Sequence, residues 1–448
     1  MVLENNKRSE EDPKVCFITL GCKVNQTESE AMAQLFRNAG YQTVDSGRTP
    51  DVVVINTCTV TNMGGRKSRQ AIRRAVRAFP ESLVIVTGCY SQTASDEVLD
   101  IPGVDLVLGT QDRMQVLQWI EHVRQTAEPY NAVRNIWNAK EFEEFPQIKE
   151  ESRTRAMLKI EEGCNRFCTY CIIPFARGPV RSRLPGNALA EAERLVKAGY
   201  REIVLTGIHI GAYGEDLEGN WDLARLVRMM LKIPEIHRLR LGSIEPVEFS
   251  EELIDTITAS PAICPHLHIP LQSGSPEILA GMRRLYTPAE YRNLLERLFQ
   301  SIPRLAVTTD VIVGFPGESE ADHAQTLEFA RACGFAGIHV FPYSKRKGTP
   351  AAAYADQVPD RVKARRVKEM LHVSRESRQA YINRILGQTV EVLVERVDAQ
   401  GQALGHTENY LTVTLPSQLN GKNWKEGQVV SVLLNEKHIY PEKFVSES

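Results

Sequence analysis

The sequence predicts an α/β protein with three parts: a doubly wound parallel sheet, a partial (β/α)6 barrel and a small all-β barrel. Three patterns support this prediction. Buried strands alternate with helices over residues 14–125, and six further strand–helix units occupy residues 151–380. Over residues 381–445, short alternating strands are separated by turns that contain glycine. A polar, glutamate-rich stretch at 126–150 suits a linker between the first two parts.

Composition narrows the class of protein. Hydrophobic residues make up 42% of the 448-residue chain, enough for several packed cores, and the net charge is −2. No apolar run approaches the roughly 18 residues that span a bilayer, and the charged N-terminus lacks a signal region. We therefore expect a cytoplasmic protein without membrane contact. In such a protein, nine cysteines favour metal or redox chemistry over disulfides.

Three cysteines occupy equivalent positions in the N-terminal part. Cys22, Cys58 and Cys89 each follow the end of a predicted buried strand. Because the carboxyl ends of parallel strands share one edge of a sheet, where ligands bind, we expect these thiols to meet. The alternative is that they are core cysteines, the role expected for Cys16, which lies inside its strand.

Three more cysteines lie close together after the apolar run 156–160. Cys164, Cys168 and Cys171 have the spacing C-x3-C-x2-C, which lets three thiolates converge on one centre. Tetrahedral zinc needs four ligands, and no fourth Cys or His follows within ten residues. A 4Fe–4S cluster held by three cysteines instead keeps one iron open for a small molecule. This spacing, with Tyr170 before the last cysteine, is typical of clusters that bind S-adenosylmethionine (SAM). Buried or zinc-binding cysteines are the alternative.

The predicted barrel has polar residues and glycines where its strands end, which is where barrel active sites form. The predicted strands are residues 156–160, 202–206, 238–242, 266–271, 306–313 and 337–342. Glu245 could accept hydrogen bonds from a ribose, and glycines let the backbone approach a ligand closely. A set of simple turns is the alternative. Cys264 and Cys333 are expected to be structural, and His209, His266 and His268 to be core histidines. The residues predicted to contact SAM are Tyr170, Thr206, Gly207, Ser243, Glu245, Gln272, Asp310 and Gly314.

Two basic stretches alternate with apolar residues and are predicted to form amphipathic helices, at 64–79 and 359–384. Charges of one sign on an exposed helix face suit contact with phosphates, although a solvated face is the simpler alternative. The residues predicted to contact RNA are Arg66, Lys67, Arg73, Arg74, Arg365 and Arg366.

With its two cysteine triads and its β-rich tail, the chain resembles the methylthiotransferase family of radical SAM enzymes, from about residue 14 to 445. The resemblance implies an N-terminal cluster domain, a radical SAM core and an RNA-binding β-barrel called TRAM. Residues 20–30, which read LGCKVNQTESE, look like the branch that modifies threonylcarbamoyladenosine in tRNA. The isopentenyladenosine branch tends to read Gly-Cys-Gln-Met-Asn here, and the ribosomal-protein branch Gly-Cys-Pro-Lys-Asn. Lys23-Val24 departs from both.

The resemblance implies two 4Fe–4S clusters, one on each triad, and two SAM molecules per turnover. The first cluster would serve to generate a radical that attacks C2 of the adenine, next to the anticodon, and the second would deliver a methylated sulfur. Tyr170 would pack beside the adenine of SAM. The implied partners are tRNA and an electron donor such as flavodoxin or ferredoxin; the sulfur source is unknown. Alternatives are methylthiolation of isopentenyladenosine or of a ribosomal-protein aspartate, and an RNA-binding metal protein without catalysis.

Overall fold

The computed structural model describes residues 12–146, 154–417 and 423–440. This part of the chain forms two compact units. One runs to Ala139 and includes residues 143–146, and the other includes residues 140–142 and continues from 154 to 440. Among the described residues, no helix has both the length and the apolar character that crossing a membrane requires.

The first unit is built on a parallel sheet of six strands in the order β2-β1-β3-β4-β5-β6. Its strands are β1 (Lys14–Thr19), β2 (Gln42–Thr43), β3 (Val52–Thr57), β4 (Leu83–Gly88), β5 (Leu106–Val107) and β6 (Tyr130–Asn131). Its helices are α1 (Lys23–Asn38), α2 (Asn62–Ala78), α3 (Cys89–Thr93), α4 (Ser95–Leu99) and α5 (Val116–Thr126). The predicted linker at 126–150 is therefore wrong in part, because β6 extends the sheet.

Helices cover both faces of this sheet, because successive strand side chains point to opposite sides. Val53 and Ile55 of β3 belong to a core that includes Ile72 of α2. Val52 and Val54 belong to a second core, beneath α1 and α5. All of β3 is buried, as expected for a central strand covered on both faces. The prediction of a doubly wound parallel sheet is confirmed.

The second unit begins with the partial barrel. Its strands are β7 (Ala156–Lys159), β8 (Glu161–Glu162), β9 (Arg181–Ser182), β10 (Glu202–Thr206), β11 (Arg238–Arg240), β12 (His266–His268), β13 (Ala306–Val313) and β14 (Gly337–Pro342). Two three-stranded parallel sheets, β11-β10-β7 and β12-β13-β14, are joined by parallel bridges such as that of Ser243 with His268. The six predicted strands are all present. Strands β8 and β9 form a separate hairpin beside them.

Eight helices accompany the barrel strands in the described part of this unit, and apolar side chains of all but the first belong to the main barrel core. They are α6 (Ile173–Arg177), α7 (Pro185–Lys197), α8 (Leu223–Met230), α9 (Glu251–Thr258), α10 (Pro276–Gly281), α11 (Pro288–Ser301), α12 (Glu320–Ala332) and α13 (Asp360–Ile385). Helix α11 begins at a capping box in which the Thr287 and Glu290 side chains each bond the other's backbone N–H. Helix α13 continues beyond residue 380, where the sequence placed the end of the barrel domain.

The C-terminal strands form an antiparallel sheet in the order β17-β16-β15-β18. They are β15 (Thr389–Val397), β16 (Ala403–Thr407), β17 (Thr412–Leu415) and β18 (Val429–Leu433). Their core includes Ala306 and Ala336, which lie at the amino ends of two barrel strands. Arg238 and Arg304 donate to the Glu391 and Thr389 carbonyls of β15 at 2.8 and 2.9 Å. The C-terminal sheet therefore packs against the amino ends of the barrel strands.

Candidate cluster and cofactor sites

The C-x3-C-x2-C segment forms a loop anchored at both ends. Gly163 has φ +93°, and a Cβ there would lie 1.9 Å from the Pro179 carbonyl oxygen, so only glycine fits. The Cys164 N–H donates to the Gly178 carbonyl at 3.0 Å. The Thr169 hydroxyl donates to the Gly281 carbonyl at 2.8 Å. The loop thus has a fixed conformation set by residues that are distant in sequence.

Two basic side chains lie against the thiols of this loop. An Arg284 guanidinium N–H donates to Cys168 Sγ at 3.4 Å. His209 Nδ1 lies 3.8 Å from Cys164 Sγ, and the same ring contacts Glu248 through Nε2, at 2.5 Å from Oε1. Arg284 therefore presents an N–H group to Cys168, and a ring nitrogen of His209 faces Cys164.

The thiols suit an iron–sulfur cluster better than a single zinc ion. Burial raises the pKa of Cys171 to about 12 and also raises that of Cys164, so their thiolates require nearby positive charge. Thiolates on one zinc, with Zn–S near 2.3 Å, lie about 3.8 Å apart. Neither cysteine triad has all its sulfurs within 4.8 Å, a condition that only His268, Asp310 and His339 meet among the described residues.

The other triad lies at one edge of the first sheet. Cys22, Cys58 and Cys89 follow β1, β3 and β4, which are adjacent and parallel. A Cβ at Gly21 (φ +101°) would lie 2.8 Å from Cys58 Cβ, so glycine permits the first two turns to approach. Ser68 of α2 both donates to and accepts from the Cys58 backbone, at 2.9 and 3.1 Å. Three strand ends thus converge at one edge of the sheet.

Side-chain hydrogen bonds tie these strand ends together. Asn25 Nδ2 donates to the Leu20 carbonyl at 2.8 Å and to the Thr57 carbonyl at 3.0 Å, linking the turns before Cys22 and Cys58. The Thr57 hydroxyl donates to the Thr87 carbonyl at 2.6 Å, joining β3 to β4. The spacing of the three cysteine-bearing turns therefore depends on the neighbouring strands and their polar side chains.

Three parts of the chain match known families. Residues 14–109 match the family described as "Uncharacterized protein family UPF0004". Residues 158–330 match the radical SAM superfamily, and residues 384–438 match the TRAM domain.

Curated relatives cover nearly the whole chain. The chain is 45% identical over 440 residues to threonylcarbamoyladenosine tRNA methylthiotransferase MtaB of Bacillus subtilis (strain 168), covering 94% of this chain and 97% of the relative. The chain belongs to the radical SAM tRNA methylthiotransferase family. It is 37% identical to MtaB of Aquifex aeolicus, covering 94% and 100% of the two chains. It is also 36% identical to tRNA-2-methylthio-N(6)-dimethylallyladenosine synthase of Clostridium novyi, covering 88% of each.

Solved structures agree on the fold of this methylthiotransferase. The radical S-adenosylmethionine methyltransferase TsrM of Kitasatospora setae, with cobalamin and a [4Fe-4S] cluster bound, superposes with a TM-score of 0.59. The match covers 76% of this chain and 74% of that one at 15% sequence identity. At this identity the likeness concerns the fold alone.

Several residues predicted to contact SAM lie near the carboxyl ends of the barrel strands. Thr206 ends β10, and a Cβ at Gly207 would lie 2.8 Å from Glu161 Oε2. Glu245 pairs with Arg284 and thereby connects to Cys168. Of the remaining predicted residues, Tyr170 packs against a small apolar cluster and Ser243 is exposed. Gln272 has φ +63°, and Asp310 lies inside β13. Gly314 is described below. Their contact with SAM stays a prediction.

The segment Gly-Phe-Pro-Gly-Glu is a turn closed by its own last residue. The Gly314 and Phe315 N–H groups donate to Glu318 Oε2 at 2.8 and 3.3 Å. Arg366 reaches the other carboxylate oxygen, Oε1, at 2.8 Å. The Gly314 N–H is therefore used within the turn. A Cβ at Gly314 would lie 2.2 Å from Lys363 Cγ, so glycine permits α13 to approach.

The two basic helices differ in their partners. On α2, Arg66, Arg73 and Arg74 are exposed and make no ion pair with any described residue, while Lys67 is half-buried. On α13, Arg366 is buried and pairs with Glu318 and Glu320. The prediction that Arg366 contacts RNA is therefore wrong, because its charge is neutralised inside the protein. Arg365 is exposed but also pairs with Glu320, at 2.6 Å.

Two residues beside the cysteine loop were missed from the sequence. Arg284 was not singled out, and His209 was expected to be a core histidine. His209 is indeed buried, but it contacts Cys164. Nothing near either residue in sequence marks its role, since Arg284 is 116 residues from Cys168 and His209 is 45 from Cys164. His209 does follow shortly after Thr206-Gly207, and that strand-end position was the available signal.

Proposed function

We propose that this protein methylthiolates C2 of N6-threonylcarbamoyladenosine next to the anticodon of tRNA, using two 4Fe–4S clusters and two SAM molecules per turnover. The proposal rests mainly on the two separate three-cysteine sites, one at the carboxyl ends of three parallel strands and the other on the loop that follows β8. The 45% identity to the MtaB of Bacillus subtilis supports the choice of base. We assign residues 14–125, together with β6 of the same sheet, to the cluster domain, 151–380 to the radical SAM core and 381–445 to TRAM, with α13 crossing the last boundary.

Each cysteine triad would hold one cluster through three thiolates and leave one iron open. When bound, the cluster and SAM together supply a one-electron route to a radical strong enough to attack an aromatic C–H bond. No acid–base group could remove that hydrogen, so the protein's contribution is binding, placement and charge. Cys164, Cys168 and Cys171 would hold the cluster that works with SAM, and Cys22, Cys58 and Cys89 the cluster that carries the transferred sulfur.

Arg284 has two tasks in this proposal. Its guanidinium donates to Cys168 Sγ and also pairs with Glu245, the residue we assign to the SAM ribose. Hydrogen bonds to a ligand sulfur stabilise the more negative, reduced state of a cluster. Because the Arg284 side chain is only 4% exposed, its charge is little screened by water. It would therefore fix the Glu245 carboxylate and favour acceptance of the electron.

His209 would orient the neighbouring thiolate. Its Nε2 side is held by Glu248, which Arg166 contacts in turn at 2.7 Å, and its Nδ1 faces Cys164 Sγ. The chain Arg166–Glu248–His209–Cys164 resembles the second-shell arrangements that fix the orientation of ligands at metal sites.

Binding of tRNA would use the exposed cations of α2 and the TRAM sheet. Arg66, Arg73 and Arg74 are available for phosphate oxygens because no described acidic side chain neutralises them. Bases next to the anticodon lie in a loop, where a protein can take one out of the stack. A flavodoxin or ferredoxin would supply electrons.

Three measurements test the proposal. Anaerobic reconstitution should give about eight irons per chain, and four or fewer together with zinc would contradict two clusters. The gene, expressed in a bacterial strain whose tRNA lacks 2-methylthio-N6-threonylcarbamoyladenosine, should restore that nucleoside. Restoration of the dimethylallyl product alone would move the protein to the branch of the Clostridium novyi relative. Failure to form 5′-deoxyadenosine from SAM under strong reductant would favour a non-catalytic RNA-binding metal protein.

A further inference from the structure

Three polar side chains meet inside the partial barrel. His268 ends β12, Asp310 lies in the middle of β13, and His339 lies on β14. The ligand atoms of these three residues all lie within 4.8 Å of one another. Strand register explains the grouping, because Asp310 pairs with His339 and His268 pairs with Thr308, two residues before Asp310 on the same face. This group, the His–Asp–His pocket, comes from three neighbouring strands.

The pocket faces open space rather than the core. Along β13, Val307, Val311 and Val313 are buried in the main core of the unit, whereas Asp310 on the alternate face is 31% exposed. The His339 side chain is also exposed. Three polar residues on the accessible inner face of a barrel indicate a ligand site more than a packing arrangement.

The groups in the pocket have defined hydrogen-bonding roles. His268 Nε2 lies 3.3 Å from Asp310 Oδ1, and His268 Nδ1 lies 3.0 Å from the Thr308 hydroxyl. Burial raises the pKa of Asp310, but the charge and hydrogen bond of His268, followed by the charges of His339 and Arg284, lower it overall. The pocket therefore offers the Asp310 carboxylate, which His268 holds in place, and beside it the exposed imidazole of His339. It also lies within the electrostatic influence of Arg284, the residue that contacts Cys168.

We propose that Asp310, held by His268, and His339 bind the threonylcarbamoyl substituent of the target adenosine, which assigns Asp310 to the substrate rather than to SAM. The proposal rests on the function proposed above and goes further, since it names the residues that select the substituent. That substituent carries N–H and O–H donors, which suit Asp310, and a carboxylate, which suits the His339 imidazole. A dimethylallyl group is a hydrocarbon. It would displace water from the same three residues and offer no hydrogen bonds in place of those that the water made.

A divalent metal ion is the other ligand that two histidines and an aspartate can take. Both ring nitrogens of His268 already have partners in Thr308 and Asp310, so a metal would have to break the contact with Asp310. The geometry therefore favours recognition of a polar organic group, and metal binding becomes an outcome of the test.

The test uses the reconstituted full-length enzyme and two anticodon stem-loops that differ only at the target base, one with threonylcarbamoyladenosine and one with dimethylallyladenosine. The measured quantity is the kcat/KM for the threonylcarbamoyladenosine stem-loop divided by the kcat/KM for the dimethylallyladenosine stem-loop. We expect His339→Leu to lower this ratio by tenfold to a hundredfold. His339→Gln keeps a donor and should recover most of the ratio. Iron content and melting temperature equal to those of the parent enzyme establish that each variant is folded.

Two results would overturn the inference. One is an unchanged ratio in His339→Leu, whether both activities are retained or both fall by the same factor. The other is binding of one ZnCl2-derived Zn²⁺ per chain to the parent enzyme but not to His339→Leu, which would assign a metal site. The parent enzyme separates this inference from the proposed function: if it modifies only the dimethylallyl stem-loop, the proposed function itself has failed.

Discussion

The two units of the protein build a three-cysteine site in opposite ways. In the second unit, one loop of eight residues, from Cys164 to Cys171, carries all three thiols and is anchored by backbone bonds. In the first unit, the thiols come from three strand ends, and Cys22, Cys58 and Cys89 are 36 and 31 residues apart. The loop site needs only a short segment and its supports, whereas the strand-end site requires the whole sheet to be assembled.

The surroundings of the two sites differ as well. Arg284 and His209 lie against the sulfurs of the loop. At the strand ends, the contacts of the cysteine-bearing turns include neutral groups such as Asn25 and Ser68. A cation beside a ligand sulfur favours the reduced state of a cluster. The position of Arg284 therefore fits the separate tasks proposed above, SAM cleavage at the loop and delivery of sulfur at the strand ends.

Removal of one thiol from each triad should separate these tasks and has the largest expected effect. Cys168→Ala should abolish both formation of 5′-deoxyadenosine and methylthiolation, because its cluster serves to cleave SAM. Cys58→Ala should leave SAM cleavage and abolish methylthiolation. Each variant should lose about four irons. Chromatography of 5′-deoxyadenosine and of tRNA nucleosides measures both activities in one reaction.

Cys16→Ala is the matched control for these variants. Cys16 is buried inside β1, away from the strand end, and should retain both activities and the full iron content. Methylthiolated tRNA from Cys58→Ala would refute the assignment of the second triad. Loss of SAM cleavage in the same variant would mean that the two sites cannot be assigned separate tasks.

Local patterns predicted the elements of the fold well. The strands at 202–206, 306–313 and 337–342 appear with the predicted bounds, because apolar runs between turn residues specify them. The pairing of Tyr130–Asn131 with β5 was missed, because a strand of two residues has no periodicity to detect. The sequence also placed a domain boundary at residue 380, whereas α13 continues to Ile385. The reason is different here, because the boundary falls within one continuous helix.

The sequence correctly predicted where the cysteines lie relative to the strands. It did not predict the surroundings of a side chain when its partners are distant in sequence. His268 was expected to be a core histidine, and only strand register brings it to Asp310 and His339. Arg366 was expected to face solvent because its helix is basic. Its neutralisation by Glu318, 48 residues away, follows from packing that periodicity does not encode. Assignment of individual SAM contacts stays a prediction.

The prediction with the next largest effect concerns α13, where, unlike on α2, a buried arginine stabilises the fold. Arg366→Met leaves the buried Glu318 carboxylate without its partner and should destabilise the second unit by about 3–5 kcal/mol. Burial already raises the folded-state pKa of Glu318 to about 7. A raised carboxyl pKa means that stability falls as pH rises from the unfolded value toward 7, so the loss should be larger at pH 8 than at pH 5.

Urea unfolding at the two pH values measures this difference. Arg365→Met is the control, since Arg365 is exposed and its removal should leave the midpoint almost unchanged. In a Glu318→Gln background, which keeps an acceptor for the Gly314 N–H, Arg366→Met should cost much less and lose its pH dependence. An equal loss at both pH values would argue that lost packing, rather than the unpaired carboxylate, is responsible.

The smallest effect tests the RNA surface of the first unit. Arg73 and Arg74 of α2 are exposed and unpaired among the described residues, so Arg73→Glu with Arg74→Glu should raise the KM for tRNA about tenfold. Loss of two phosphate contacts should also reduce the slope of log affinity against log salt by about 1.5. The double variant Arg365→Glu with Lys368→Glu makes the same charge change on α13 and is expected to have a smaller effect on KM. Equal effects from the two helices would mean that net charge, not a defined surface on α2, attracts tRNA.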